Sequence, residues 1–234
     1  IPAENFPFCT IDPNSTRVYV PDERFDWLVE QHKPKSVVQP FLEIVDIAGL
    51  VKGASGGEGL GNQFLANIRE TDAIAEVIRI FEDKNITHVH GSIDPLSDIE
   101  VIDLELIMAD QQTVEKRLDN IERDAKRGDK DAIAEKELLL KYKQLFDEGE
   151  PARLLPLNEQ EVGLAKSLHL LTNKPILYVL NKQAGGHNLD ENQDERWERL
   201  MRFFDVRGAN WVLVDANVEH ELNDVAHDDK QMFR

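Results

Sequence analysis

Phe41-Leu42-Glu43-Ile44-Val45 is a nearly unbroken apolar run that stops at Asp46-Ile47-Ala48-Gly49. Such a run reads as a strand covered on both faces, and strands of that kind belong to parallel sheets flanked by helices. Six glycines follow between Gly49 and Gly61, so the strand hands over to a loop of high backbone freedom. Taken alone, a strand-ending aspartate before a turn glycine is common, and its meaning comes from the segments around it.

The remaining chain continues the alternation. A helix through Phe64, Leu65 and Ile68 leads to a strand over Ala73–Ile80. Pro175–Leu180 reads as another buried strand, followed by a Gly185-Gly186 loop. Trp197, Leu200, Met201 and Phe204 then form one helix face before a last strand, Trp211–Val214. Strands alternating with helices predict a mainly parallel, three-layer α/β fold. Residues 98–171 interrupt it. Ile107, Val114, Leu118, Ile121 and Ala125 recur at steps of seven, four, three and four, which is one helical seam. Arg127-Gly128-Asp129 breaks that helix, and Leu138, Tyr142 and Leu145 mark the next. An inserted antiparallel helical hairpin is expected, with a third helix from about Asn158. Residues 1–40, holding six prolines, read as irregular apart from a helix after Asp22.

Composition excludes several classes. A hydrophobic share of 41% against 31% charged residues describes a chain able to bury a core. No apolar run reaches the roughly 20 residues that cross a bilayer. The net charge of −18 repels phosphate backbones, so sequence-specific DNA binding is not expected. Cys9 is the only cysteine; no intrachain disulfide can form, and a cytoplasmic setting is expected.

Four loop segments carry chemistry. In nucleotide hydrolases, a strand-ending D-x-x-G places the aspartate by a Mg²⁺-bound water. Its glycine lets a backbone N–H meet the γ-phosphate. Asp46 and Gly49 fit those roles. Upstream, Thr10 in Phe6-Pro7-Phe8-Cys9-Thr10 offers a hydroxyl that could close over the same ion. Downstream, Asn181-Lys182 follows a strand where guanine-specific hydrolases carry N-K-x-D, and Asp215-Ala216-Asn217 stands where a second base-contacting loop is expected.

The stretches Ile1–Asn14, Asp46–Ala54, Gly59–Leu65, Arg69–Ile74 and Phe81-Glu82-Asp83 together resemble the YchF or Obg-like ATPases, with the helical hairpin where that family has a coiled-coil arm. The resemblance covers most of the chain and thins after about residue 182. It implies a Ras-like P-loop NTPase fold. A nucleotide-binding domain would comprise 1–97 and 172–234 without its first strand and phosphate loop, and a coiled-coil insertion would comprise 98–171. It implies an ATP-hydrolysing switch, associated with ribosomes and using Mg²⁺. Thr10 and Asp46 would be the metal ligands. Gly49, Asn181, Lys182 and Ala216 would contact nucleotide. Leu50 stands where Ras-type enzymes keep the glutamine that orients water, and an alkyl chain cannot do so. The family assigns that work to a histidine matched by His88; read alone, His88 and His90 are a solvated pair or a chance metal site.

Three departures qualify the resemblance. No G-x-x-x-x-G-K-[ST] occurs in the 234 residues, so the phosphate cradle is expected either upstream of Ile1 or lost. The sequence also stops about where the family's small β-rich TGS domain would begin. At the base site, Asn181-Lys182-Gln183-Ala184 has no carboxylate where the family carries glutamate and GTPases carry aspartate. The third departure is Asp215-Ala216-Asn217, where Ser-Ala-Lys is usual. A GTPase of the Obg class and a truncated, non-enzymatic ribosome-interaction protein therefore stand as alternatives to the ATPase.

Overall fold

The computed structural model describes residues 14–47, 60–83, 93–192 and 194–222, which fall in two compact units, Ile1–Gly49 and Leu50–Arg234. In the first, strand β1 (Asn14–Tyr19) pairs antiparallel with β2 (Phe41–Asp46), with Asn14 opposite Asp46 and Tyr19 opposite Phe41. Helix α1 (Glu23–His32) lies between them in sequence, started by Asp22, whose carboxylate accepts the Arg24 N–H.

Two expectations are corrected here. The 1–40 stretch is not irregular throughout, because Asn14–Tyr19 is a strand. Pro21 stands outside the strand's C-terminal end, where it costs no ladder bond. Nor is β2 covered on both faces: Leu42 and Ile44 are 61% and 55% exposed. Apolar composition marks what a strand can bury, and among the described residues of this unit no second layer is present to bury it.

The second unit holds a parallel three-stranded sheet in the order β3 (Ile74–Arg79), β5 (Ile176–Asn181), β7 (Asn210–Val214). A two-residue antiparallel pair, β4 (Phe81–Glu82) with β6 (His187–Asn188), sits beyond the ends of β3 and β5. Pleating sends Ile78, Tyr178 and Leu180 to one face, where they bury with Ile99, Leu200 and Phe204. The opposite face carries Val77 and Leu177, 68% and 42% exposed.

Helix α2 (Leu60–Glu70) precedes β3. Helix α3 (Pro95–Lys126) then runs for 32 residues, about 48 Å at 1.5 Å per residue. Asp94 caps its start, accepting the Ser97 N–H, and Pro95 occupies the first turn, where its missing N–H is not needed. Gly128 takes φ +88°, a left-handed conformation cheap for glycine alone, and reverses the chain. Asp129 then caps helix α4 (Lys130–Asp147) through the Ala132 N–H. The seam closes as the spacing predicts: Ile107, Val114, Ile121, Leu138, Leu139, Tyr142 and Phe146 are buried together, with Leu118 and Leu145 packed against them. Helix α5 (Glu159–Ser167) opens on a capping box between Asn158 and Glu161. Helices α6 (Glu195–Arg207) and α7 (Ala216–Glu221) complete the unit. Among the described residues no helix is long and apolar enough to cross a membrane.

Candidate nucleotide site

Strands β5 and β7 run side by side and end together, Asn181 opposite Val214. In parallel α/β sheets, ligands are met by loops beyond the carboxyl ends of strands. Here those loops are 182–186 and 215–217. The backbone ladder continues into them, the Lys182 N–H donating to the Val214 carbonyl at 2.8 Å. Asn181 Oδ1 accepts the N–H of Ala216 at 3.1 Å. In return, Asp215 Oδ2 accepts the N–H of Ala184 at 2.5 Å, while Oδ1 accepts those of Asn217 and Val218 at 3.0 Å each. The two loops clasp each other through side chains from both.

The first loop is shaped from within. Gly185 has φ +68°, and the Gly186 N–H returns to the Gln183 carbonyl at 2.9 Å. A Cβ on Gly186 would crowd Gln183, meeting its Oε1 at 2.8 Å and its Cβ and carbonyl oxygen at 3.1 Å, so Gln183 would have to shift to admit one. Asn188, 1% exposed, holds both sides of Gln183. It accepts the Gln183 N–H and donates to its carbonyl, each at 2.9 Å. Lys182 Nζ lies 2.8 Å from Glu191 Oε1 and 3.6 Å from Asp190 Oδ2, and the bond to Glu191 chiefly raises its pKa. Its ammonium is therefore anchored and its alkyl stem held at one place. Asn188, Asp190 and Glu191 carry no motif, so sequence reasoning missed them. The Asp215 clasp was visible only as a departure from the usual loop.

Of the other candidates, Asp46 is the last residue of β2 and half-buried. It lies in the first unit, and the loops above lie in the second. Thr10, Gly49, Leu50 and His88 lie outside the described residues. Asp46 and Thr10 are hard oxygen donors, the chemistry Mg²⁺ takes.

A second polar cluster joins the sheet to the hairpin. Glu76 on β3 stands opposite Tyr178 in register. Burial, then the nearby Asp103, push its carboxyl up to about 8 against the opposing pull of Arg153. Its Oε2 is shielded and has no hydrogen-bond partner. Arg153, in the 3₁₀ turn Ala152–Leu154, donates to both Asp103 oxygens at 3.3 and 3.4 Å. Arg207 on α6 meets Glu150 at 2.5 Å. About two helical turns further along α3, the fully buried Asp110 accepts the N–H groups of Leu171 and Thr172 at 2.8 Å each. It also accepts the Thr172 hydroxyl at 2.7 Å. Burial raises the Asp110 pKa and these donors oppose the rise.

Comparison with known proteins identifies the family. The model of the 50S ribosome-binding GTPase family matches residues 1–134. Ribosome-binding ATPase YchF of Bacillus subtilis (strain 168) is 48% identical over 229 residues, which span 98% of this chain and 62% of that protein. Obg-like ATPase 1 of Oryza sativa subsp. indica is 48% identical over 194 residues, 82% of this chain and 49% of the relative. A solved Schizosaccharomyces pombe YchF GTPase superposes with a TM-score of 0.76 at 36% identity, over 96% of this chain and 61% of that one. The chain spans between about half and three-fifths of the length of these relatives.

Proposed function

We propose that this chain, which belongs to the YchF and Obg-like ATPase family of Ras-like P-loop nucleotide hydrolases, carries the base site and switch segments of an ATP-hydrolysing, ribosome-associated cytoplasmic protein. The observation that bears on nucleotide choice is alanine at position 184 within the clasped loops, which removes support for GTP without itself selecting adenine; the ATPase names of the relatives support the preference for ATP. A carboxylate at that position would accept guanine N1–H and N2–H₂; without it, GTP loses its main source of selectivity. Ribosome association is supported by the names of the Bacillus relative and of the matching family.

Within this reading, Asn181 braces the loops, the anchored stem of Lys182 lies along the base, and the Ala216 backbone lines its edge. Asp46 and Thr10 would hold Mg²⁺, which when bound neutralises phosphate charge. Gly49 would approach the γ-phosphate. Leu50 keeps that end of the loop apolar and cannot direct water, so His88 takes the role: a neutral imidazole accepts a hydrogen bond from water near neutral pH. ATP would order Thr10 and the glycine-rich loop, and hydrolysis would release them.

A second reading, GTP as substrate, is favoured by the word GTPase in the names of the matching family and of the Schizosaccharomyces structure. Calorimetry of the full-length protein with ATP and with GTP decides between them. Tighter binding of ATP is expected, and tighter binding of GTP defeats the ATPase reading.

A further inference from the structure

We infer that Asp215 is a positioning residue for purine selectivity, holding the 182–186 loop from the adjacent loop and occupying the electrostatic place that a carboxylate at position 184 would take. The inference rests on the base-site reading above. Ala184 bears no carboxylate, yet one stands against its backbone, because Asp215 Oδ2 accepts the Ala184 N–H at 2.5 Å. The other oxygen takes two donors, Asn217 N–H and Val218 N–H. Hydrogen bonds to an ionised acceptor are the short, strong kind, so this side chain fixes both loops at once. Asn181 completes the clasp in the opposite direction through Ala216.

Three consequences follow from donor and acceptor counting. A carboxylate has about four lone-pair sites; three backbone donors leave Asp215 unable to take guanine N1–H and N2–H₂ together. The Ala184 N–H is already spent and is withheld from the base, which must be met by other backbone groups of the loops. The negative charge beside residue 184 repels any carboxylate installed there, so a single substitution at 184 cannot create a guanine reader.

Calorimetry of the full-length protein with ADP and GDP tests this in wild type, D215N, A184D and A184D/D215S. In D215N, one oxygen still caps α7, but an NH₂ can be turned toward the Ala184 N–H. In D215S the hydroxyl keeps the cap and the charge is gone. D215N is expected to weaken ADP binding about tenfold, because the nucleotide must then order the released 182–186 loop, and to lower the thermal midpoint modestly, since a charge-assisted hydrogen bond within the free protein is lost. A184D alone should leave the ADP/GDP preference within about threefold of wild type, whereas A184D/D215S should move it toward GDP by about tenfold or more. Wild-type protein that binds neither nucleotide overturns the base-site reading and this inference together. Normal wild-type binding overturns the inference alone if D215N matches it in affinity and preference. The same holds if A184D alone switches preference as far as the double variant.

Discussion

Glu76 makes stability fall with rising pH, and the size of the effect can be worked from its surroundings. Its carboxyl is raised from 4.5 to about 8, first by burial and next by Asp103. The folded chain therefore keeps a proton that the unfolded chain has released. The stabilisation is complete below the unfolded value of 4.5 and is lost progressively as pH climbs through the folded value of about 8. At about 1.4 kcal/mol per pH unit, linkage gives a loss of about 2.7 kcal/mol between pH 6 and pH 9. Glutamine copies the protonated acid in shape and neutrality, so E76Q should match wild type below about pH 4.5, and its advantage over wild type should widen by about 2.7 kcal/mol between pH 6 and pH 9. The assay is guanidinium unfolding followed by Trp197 and Trp211, which meet edge to face at 6.2 Å beside the sheet core. A Trp27→Phe background removes the reporter of the first unit. Comparing variants at each pH cancels the separate titration of Asp110, whose pKa burial also raises, and a D103N background removes the titration of Asp103, which is coupled to Glu76. Parallel pH curves for wild type and E76Q would refute the reasoning, because Glu76 would then ionise in the fold as easily as in water.

Asp110→Ala strands the N–H groups of Leu171 and Thr172 in the interior. It should cost about 3–5 kcal/mol, read by denaturation and by loss of hydrogen-exchange protection at those two amides; retained protection would show that other acceptors replace the carboxylate. Leu118→Asp places a charge against the hairpin seam and should weaken ribosome co-sedimentation while leaving nucleotide affinity unchanged. Equal loss of nucleotide binding would show that hairpin and sheet form one cooperative core. His88→Ala should lower ATP turnover by about 100-fold or more with ATP affinity nearly unchanged, and unchanged turnover returns His88 to a solvated pair.

What the sequence discloses depends on the range of the interaction. The hairpin was legible because Ile107, Val114, Leu118 and Ile121 repeat at helical spacing, and because Gly128 and Asp129 signal a break and a new cap within two residues. The paired loops 182–186 and 215–217 were legible because Asn181 ends one apolar strand and Asp215-Ala216-Asn217 follows another. Strand β1 was not, since flanking prolines mask a six-residue strand whose support among the described residues is pairing with β2. The polar ties were invisible for the same reason. Asp103 and Arg153 are 50 residues apart, Asp110 and Thr172 are 62 apart, and Ala184 and Asp215 are 31 apart. Such contacts leave no periodic trace, because any acidic residue on a helix reads as solvated until the fold places a donor against it.

Those ties also decide what directs the hairpin. Exposed ion pairs such as Arg117 with Glu135 and Lys143 with Glu115 run along it, but pairs of that kind contribute at most about 1 kcal/mol each and are screened by salt. The buried seam supplies the cohesion of the two helices, since helices in water owe most of their stability to tertiary packing. Neither feature fixes the hairpin's angle to the sheet. Helix α3 does so, because Ile99 belongs to the sheet core and Ile107, Val114 and Ile121 to the hairpin core. A rigid helix shared by two cores can still pivot unless it is held off its own axis. Asp103 with Arg153 and Asp110 with Leu171 and Thr172 provide those lateral restraints at the crossing between the cores, and Arg207 with Glu150 adds one from α6. High salt should therefore leave the hairpin's angle unchanged, since the exposed pairs that salt screens do not set it, whereas Asp110→Ala should release it. Double electron resonance distances between spin labels on the hairpin tip and α6 separate the two cases.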